Sequence, residues 1–201
     1  MEVLFKSKGV LVFFGDKQFD LQALKNKYNY EFKTLHQVHG DKVIGSCESV
    51  EEPQADAHFT NQINTALVIK TADCLPIMAF DGEQVYAIHA GWRGLENKII
   101  SKTLAAVDAD ARVFIGGHIH KDNFEVGPDL LNTFDKKYFK DKPNGKYNLN
   151  LTQIAIDQIL DLGINRENIQ LSKVDTYSNP DFNSYRFDKT QRRNLSFIVK
   201  T

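Results

Sequence analysis

The chain has 201 residues, enough for one sizeable core and too few for two independent ones, so one domain over residues 1–201 is expected. Its composition, 42% hydrophobic and 25% charged, is ordinary for a soluble globular protein, and no apolar run approaches the roughly 18 residues that cross a bilayer. A formal net charge of -1 speaks against broad attraction to nucleic acid or to an anionic membrane. The start, Met1-Glu2-Val3-Leu4-Phe5-Lys6, lacks a secretion-signal pattern, so the expected compartment is the cytosol, where Cys47 and Cys74 are not expected to form a disulfide.

Val10 to Phe14 followed by Gly15-Asp16 reads as a strand and turn. Asp20 to Tyr28 has helical spacing in Leu21, Leu24 and Tyr28, with Asp20 as N-cap. Lys33 to Val38 is expected to be extended, leading His39 to a strand end at Gly40-Asp41. Val43 to Cys47 is a short strand, and Ser49 to Asp56 an acidic loop. Ala66 to Lys70 forms a β-type run ending at Thr71-Ala72-Asp73-Cys74. Leu75 to Phe80 and Val85 to His89 read as two strands joined at Asp81-Gly82, a turn dipeptide.

Ala90-Gly91-Trp92-Arg93-Gly94 turns into a helix expected from about Leu95 to Val107, with a stripe of Ile99, Ile100, Thr103, Leu104 and Val107. Val113 to Ile115 is a strand closed by Gly116-Gly117. Helices are expected over Asp129 to Tyr138 and Leu151 to Leu162, the second ended by Gly163. The lysines at 136, 137, 140 and 142, interspersed with Asp135 and Asp141, read as a solvated helix face. Ile169 to Val174 and Leu195 to Val199 are late strands. Strands and helices mix throughout, giving an α/β or α+β class: a single-domain sandwich of mixed β-sheet with flanking helices.

Three segments carry chemistry. Gln37-Val38-His39-Gly40, Ala72-Asp73-Cys74-Leu75-Pro76 and Ile88-His89-Ala90-Gly91-Trp92-Arg93-Gly94 each place one ligand-type side chain where a strand gives way to a turn. Two imidazoles and one thiolate suit a borderline-soft divalent ion such as zinc, and three protein ligands leave a position open for water or substrate. Asp73 is placed to orient ligands or transfer a proton. Gly91 and Gly94 flank Trp92 and Arg93, an aromatic face and a guanidinium suited to phosphate or carboxylate oxygens. The plain alternatives are a packing role for Trp92, a surface cation in Arg93, and structural His and Cys. His58, His118 and His120 qualify as ligands by chemistry alone. His36 is set aside, because on a strand it faces away from His39.

These motifs, with Glu125-Val126-Gly127 and Ser184-Tyr185-Arg186, occur in the order seen in the laccase-domain family, known as multicopper polyphenol oxidoreductases and also described as purine nucleoside phosphorylases and peptidoglycan editing factors. From about Thr34 to the C-terminus the chain resembles that family. The resemblance implies an α/β sandwich and a zinc site made by His39, Cys74 and His89. It further implies phosphorolysis of adenosine or inosine to free base and ribose 1-phosphate, adenosine deamination and methylthioadenosine phosphorolysis. On that reading Asp73 transfers protons, Arg93 and Arg186 bind anions, and Trp92 or Tyr185 stacks on the base.

The chain departs from the family pattern in three places. Ile115-Gly116-Gly117-His118 stands where the family usually has two Gly-Pro pairs, and Arg186-Phe187-Asp188 where it has Arg-Arg-Asp. The N-terminal Ser-Thr-Arg segment is reduced to Val12-Phe13-Phe14-Gly15-Asp16. Two family cations are thus missing, which bears on phosphate selectivity more than on metal binding, and His118 is the candidate to compensate beside the metal. The family's older name makes copper the alternative metal, in a polyphenol oxidase, but six histidines are too few for several copper centres. A thiol hydrolase built on Cys74 with His89 or His39 as base, or a cell-wall editing protein that only binds its ligand, are the other readings. Preferred nucleoside and oligomeric state are not legible.

Overall fold

The structure, a computed structural model, describes residues 3–7, 9–46, 51–143 and 145–201, the first five as backbone only. Strands β1 (Val3–Ser7) and β2 (Val10–Phe14) pair antiparallel. Helix α1 (Leu21–Lys27) follows, and the Asp20 carboxylate accepts the Ala23 N–H at 2.7 Å, satisfying a first-turn donor that has no helical partner. Next come β3 (Glu31–Lys33), β4 (Val43–Gly45), β5 (Ala57–Thr60), β6 (Thr65–Thr71), and the hairpin of β7 (Leu75–Phe80) and β8 (Val85–Ala90). Helices α2 (Trp92–Glu96) and α3 (Ile99–Thr103) lead to β9 (Arg112–Ile115) and β10 (Glu125–Val126). The chain closes with β11 (Phe139–Asp141), β12 (Tyr147–Leu149), α4 (Leu151–Leu160), β13 (Ile169–Leu171), α5 (Tyr185–Asp188) and β14 (Asn194–Lys200).

Among the described residues these strands form a five-stranded sheet ordered β1-β2-β14-β6-β3, a six-stranded sheet ordered β13-β9-β7-β8-β5-β4, and a three-stranded sheet ordered β10-β12-β11. Period-2 alternation builds the layers. Val10, Val12, Phe14, Leu67 and Ile69 face Met78, Phe80, Val85 and Ala87 across the two large sheets. The intervening positions Leu11, Phe13, Ala66 and Val68 point outward, under Phe19, Tyr28, Tyr30 and Phe32 around α1. On the far side of the six-stranded sheet, Leu75, Ile77 and Ile88 pack against Leu95, Ile99 and Ile100 of α2 and α3 and Ile154, Ala155 and Ile159 of α4. The result is an α+β sandwich, helices outside and two stacked sheets inside. At its centre Gly116 lies so close to Phe14 that a Cβ would sit 2.3 Å from Phe14 Cδ1.

Several expected elements come out differently, each for a local reason. The helix expected over 95–107 is two short ones, because Lys98 turns left-handed (φ 60°). The Leu95 carbonyl, which a continuous helix would give to the Ile99 N–H, accepts the Lys98 N–H at 3.1 Å and the Gln158 Nε2 at 2.8 Å instead. The helix expected over 129–138 is a pair of 3-10 turns, Pro128–Asn132 and Lys136–Tyr138, running into β11. Leu130, Phe134 and Tyr138 still pack inward, so the spacing marked the buried face but not the geometry. The lysines nearby lie on a turn and a strand, where Lys137 pairs with Asp157 and Lys142 with Glu125. The segment expected to be extended to Val38 is a strand only to Lys33, with one bridge at His36. β13 stops at Leu171, and β4 at Gly45; Cys47 and the first two residues of the acidic loop, 49 and 50, lie outside the described residues. No described helix is long and apolar enough to cross a membrane.

Candidate metal centre and cavity

The site forms where β6 and β8 end and β7 begins. β6 delivers Asp73 and Cys74 just past Thr71, and β8 delivers His89 opposite Pro76. His39 arrives from the loop after β3. That loop is pinned to β6 by a reciprocal pair: the Gln37 amide donates to the Lys70 carbonyl and accepts the Lys70 N–H, each at 2.8 Å. His39 itself is left-handed (φ 60°), a conformation costing a non-glycine residue roughly 1–2 kcal/mol.

His39, Cys74 and His89 each present one ligand atom, and the three atoms lie within 4.8 Å of one another. The two imidazoles meet edge-on, ring centroids 4.7 Å apart. With bonds of about 2.0–2.3 Å, ligand atoms around one tetrahedral ion stand closer together than this, so the cluster could hold an ion after a small inward movement of its side chains. The surroundings fit an ion as well. His89 donates Nδ1–H to Asp56 Oδ1 at 2.8 Å, which leaves Nε2 as its ligand atom. A Cβ on Gly91 would stand 3.1 Å from Cys74 Sγ and 3.4 Å from His39 Cδ2, so the missing side chain is what lets α2 start beside the triplet.

Asp56 is the residue that sequence reasoning missed. It was expected at the end of an acidic loop, with no role assigned, and it is fully buried. Its Oδ1 accepts the His39 N–H (3.0 Å) as well as His89, and its Oδ2 accepts the N–H groups of Val38 (3.2 Å) and Gly40 (2.7 Å). Burial alone would push the carboxyl up, but the bonds from His89, Gly40 and Val38 hold it below its ordinary range. The charges of the triplet interlock in the same way. Burial pushes the Cys74 thiol up, yet the His89 charge and hydrogen bonds from both imidazoles bring it down to about 6. Burial would depress His89, and the Cys74 and Asp56 anions hold it near 9. Each of the two groups thus favours the charged form of the other.

The triplet opens into a cavity of about 560 Å3, within the roughly 300–1,000 Å3 of small-molecule sites. Asp73, Trp92, Arg93, Tyr185 and Arg186 all line it, so these five and the triplet share one cavity. Their states differ. Arg93 is exposed, its guanidinium carbon 4.3 Å from the Trp92 ring centroid, and Tyr185 is 48% exposed. Arg186 is anchored, Nη1 donating to the Glu125 carbonyl at 2.8 Å with its guanidinium over Phe124. Asp73 is left-handed (φ 89°) and buried; Oδ1 accepts the Thr176 hydroxyl (2.8 Å) and Oδ2 the Arg186 N–H (2.6 Å). It thus ties the start of α5, and with it Tyr185 and Arg186, to the metal end.

Other expectations fail. His118 does not stand beside the triplet: it is buried, its Nδ1 bonded to the Gly116 carbonyl (2.8 Å) and its Nε2 to Thr152 Oγ1 (2.7 Å), and burial lowers it to about 4. His58 is likewise buried and lowered to about 3. His36 does line the cavity, because the left-handed turn at His39 breaks the strand alternation that would have turned it away. Lys70, Gln191 and Arg193 line it too, unforeseen. The adjacent basic pair Arg192-Arg193 was the one signal for the last of these, and Arg193 and Lys70, the latter paired with Glu52, bring cationic groups to the cavity.

These features define a class: an α+β sandwich with a single His/Cys cluster, among the described residues, at the floor of a small-molecule cavity. Residues 18–201 match the family described as multi-copper polyphenol oxidoreductase laccase, and the chain belongs to that family. It is similar to the purine nucleoside phosphorylase of Aquifex aeolicus strain VF5, 35% identical over 168 residues that cover 81% of this chain and 80% of the relative. It is equally similar to that of Haemophilus influenzae, 35% identical over 178 residues covering 82% and 72%. The crystal structure of a Neisseria meningitidis protein shares the fold, with a TM-score of 0.90 at 24% identity over 99% of this chain and 98% of that one.

Proposed function

We propose that this protein is a zinc-dependent purine nucleoside phosphorylase, with adenosine deaminase and methylthioadenosine phosphorylase activity in the same cavity. The observation that carries the reading is the convergence of His39, Cys74 and His89 on one point of a cavity walled by Trp92, Tyr185, Arg93 and Arg186, in a chain whose relatives are named purine nucleoside phosphorylases. A purine needs a flat apolar face, which Trp92 and Tyr185 offer. Phosphate needs planar cationic donors, which Arg93 and Arg186 offer. His39, Cys74 and His89 would hold the zinc, which would supply Lewis acidity toward a substrate or water oxygen. Asp73 accepts two hydrogen bonds where a carboxylate has about four acceptor sites, so it keeps capacity to take a proton while anchoring α5. The enzyme is read as cytoplasmic, and its partners as small molecules, without nucleic acid or membrane.

Metal analysis of the purified protein, then product analysis with adenosine and inosine with and without phosphate, tests this. Ribose 1-phosphate formed only with phosphate, and inosine formed from adenosine without it, support the reading. Product formation undiminished after chelation overturns its metal dependence. The copper polyphenol oxidase is disfavoured by the single cluster of three among the described residues. The thiol hydrolase has one observation in its favour, the Cys74 sulfur beside two imidazoles, and predicts activity that chelators enhance.

A further inference from the structure

We infer that Asp56 is the positioning residue of the metal centre: its one carboxylate presets two of the three ligands before an ion arrives. It contacts no ion position itself and acts through His89 and His39. Four donors converge on its two oxygens, the full acceptor capacity of a carboxylate. Three are consecutive main-chain N–H groups, from Val38, His39 and Gly40, which turn toward one anion only while His39 stays left-handed. The fourth is His89 Nδ1–H, whose bond fixes the tautomer that presents Nε2 to the cavity. Asp56 also holds the main chain of His89, whose N–H donates to the Asp56 carbonyl at 2.8 Å. Its own N–H is engaged by the Lys42 carbonyl at 3.1 Å, so the clamp is fixed to the scaffold rather than to a mobile side chain. Cys74, the third ligand, is set independently by the end of β6 and the start of β7. The inferred division of labour is that β7 places the thiolate and Asp56 places both imidazoles relative to it.

This rests on the reading that the triplet holds zinc, and the experiment separates the two. Zinc affinity is measured by competition with a chromophoric chelator for the unaltered protein and for Asp56→Asn, alongside the visible spectrum of each with cobalt in place of zinc. Asparagine keeps the shape but replaces two acceptor lone-pair sites with N–H donors, which face donors. The expected result is a 10–100-fold weaker zinc affinity and an altered cobalt spectrum. Failure of the unaltered protein to bind zinc would remove the underlying reading. Unchanged affinity and spectrum in Asp56→Asn, with the unaltered protein binding normally, would overturn this inference alone. A lowered melting temperature with unchanged affinity would assign Asp56 to structure only and overturn it too. Should Asp56→Asn fail to fold, cadmium-113 coupling to the imidazole nitrogens of the unaltered protein decides. Coupling to His89 Nε2 with a slowly exchanging Nδ1–H is expected, and coupling to Nδ1 overturns the inference.

Discussion

The floor and the rim of the cavity are built on opposite plans. At the floor Asp56 is fully buried with both carboxylate oxygens engaged and His89 is 3% exposed, Cys74 is half-buried, and of the three cluster residues His39 alone is exposed. At the rim Tyr185 is 48% exposed and Arg93 stands in solvent, held by a ring face rather than a hydrogen bond. Arg186 stands between the two, exposed at its edge and anchored through Asp73 and Glu125. A saturated floor fits a group that must be gripped in one geometry, and an open rim fits ligands that come and go. Substitutions should therefore hurt in proportion to depth.

The deepest cut is to the ligands. Cys74→Ala and His89→Ala should each lose zinc and abolish phosphorolysis and deamination, a fall greater than the roughly 100-fold that outer-shell changes cause. The fold should survive, since neither side chain is part of the apolar clusters. Metal content by mass spectrometry and turnover measured on the same samples test it. Near-normal turnover of Cys74→Ala without zinc would break the division between floor and rim.

Asp73→Asn probes the join. Asparagine tolerates the left-handed backbone at this position, and the Thr176 hydroxyl can reverse to accept from an amide. If Asp73 moves a proton, kcat should fall about 100-fold with zinc content unchanged. A loss under tenfold with a lowered melting temperature would leave it only the anchoring of α5.

The floor also has a pH signature. In the metal-free protein Cys74 has its pKa depressed to about 6, so the thiolate is present above that pH and is lost as the pH falls through it. Any stability it lends the metal-free fold follows the same direction, complete above the unfolded value and fading on acidification through about 6. Alkylation by iodoacetamide should therefore be half-maximal near pH 6 rather than the roughly 8.5 of a free cysteine, and zinc should suppress it. A midpoint above pH 8 would mean that the imidazoles do not hold the thiolate.

The same contrast explains what could be read in advance. The cluster of His39, Cys74 and His89 could be picked out because each lies within two residues of a glycine or proline, where a strand was expected to give way to a turn, a local signal. The central strands were legible because short apolar runs such as Leu75 to Phe80 and Val85 to His89 are bounded by turn residues such as Asp81-Gly82, and the structure buries both faces of these runs. Asp56 was not, because three of its four donors are main-chain N–H groups, which carry no residue signature, and the fourth is 33 positions away. The second role of Asp73 was hidden likewise, its partners lying 103 and 113 residues downstream. The break at Lys98 depended on a Gln158 side chain from another helix. Contacts made by backbone groups across long separations are where reading by motif and period stops.

Arg93→Lys is the smallest expected effect and tests the rim most directly. Arg93 sits in the first turn of α2, beyond the strand that supplies His89, and its guanidinium faces the Trp92 ring. A purely structural arginine would brace this turn through backbone carbonyls, and among the described residues no such bond is made. What remains is a cation–π contact worth about 0.5–1 kcal/mol at an exposed site, most of which an ammonium retains. Lysine should therefore leave zinc content and melting temperature nearly unchanged. It removes the planar fork that grips two phosphate oxygens at once. Losing one charge-assisted hydrogen bond, about 1.5 kcal/mol, should raise the KM for phosphate by about tenfold while kcat at saturating phosphate holds. An unchanged KM would move the phosphate site toward Arg186 and Arg193, the other arginines that line the cavity. A raised KM for the nucleoside instead would make Trp92 and Arg93 together the platform for the base.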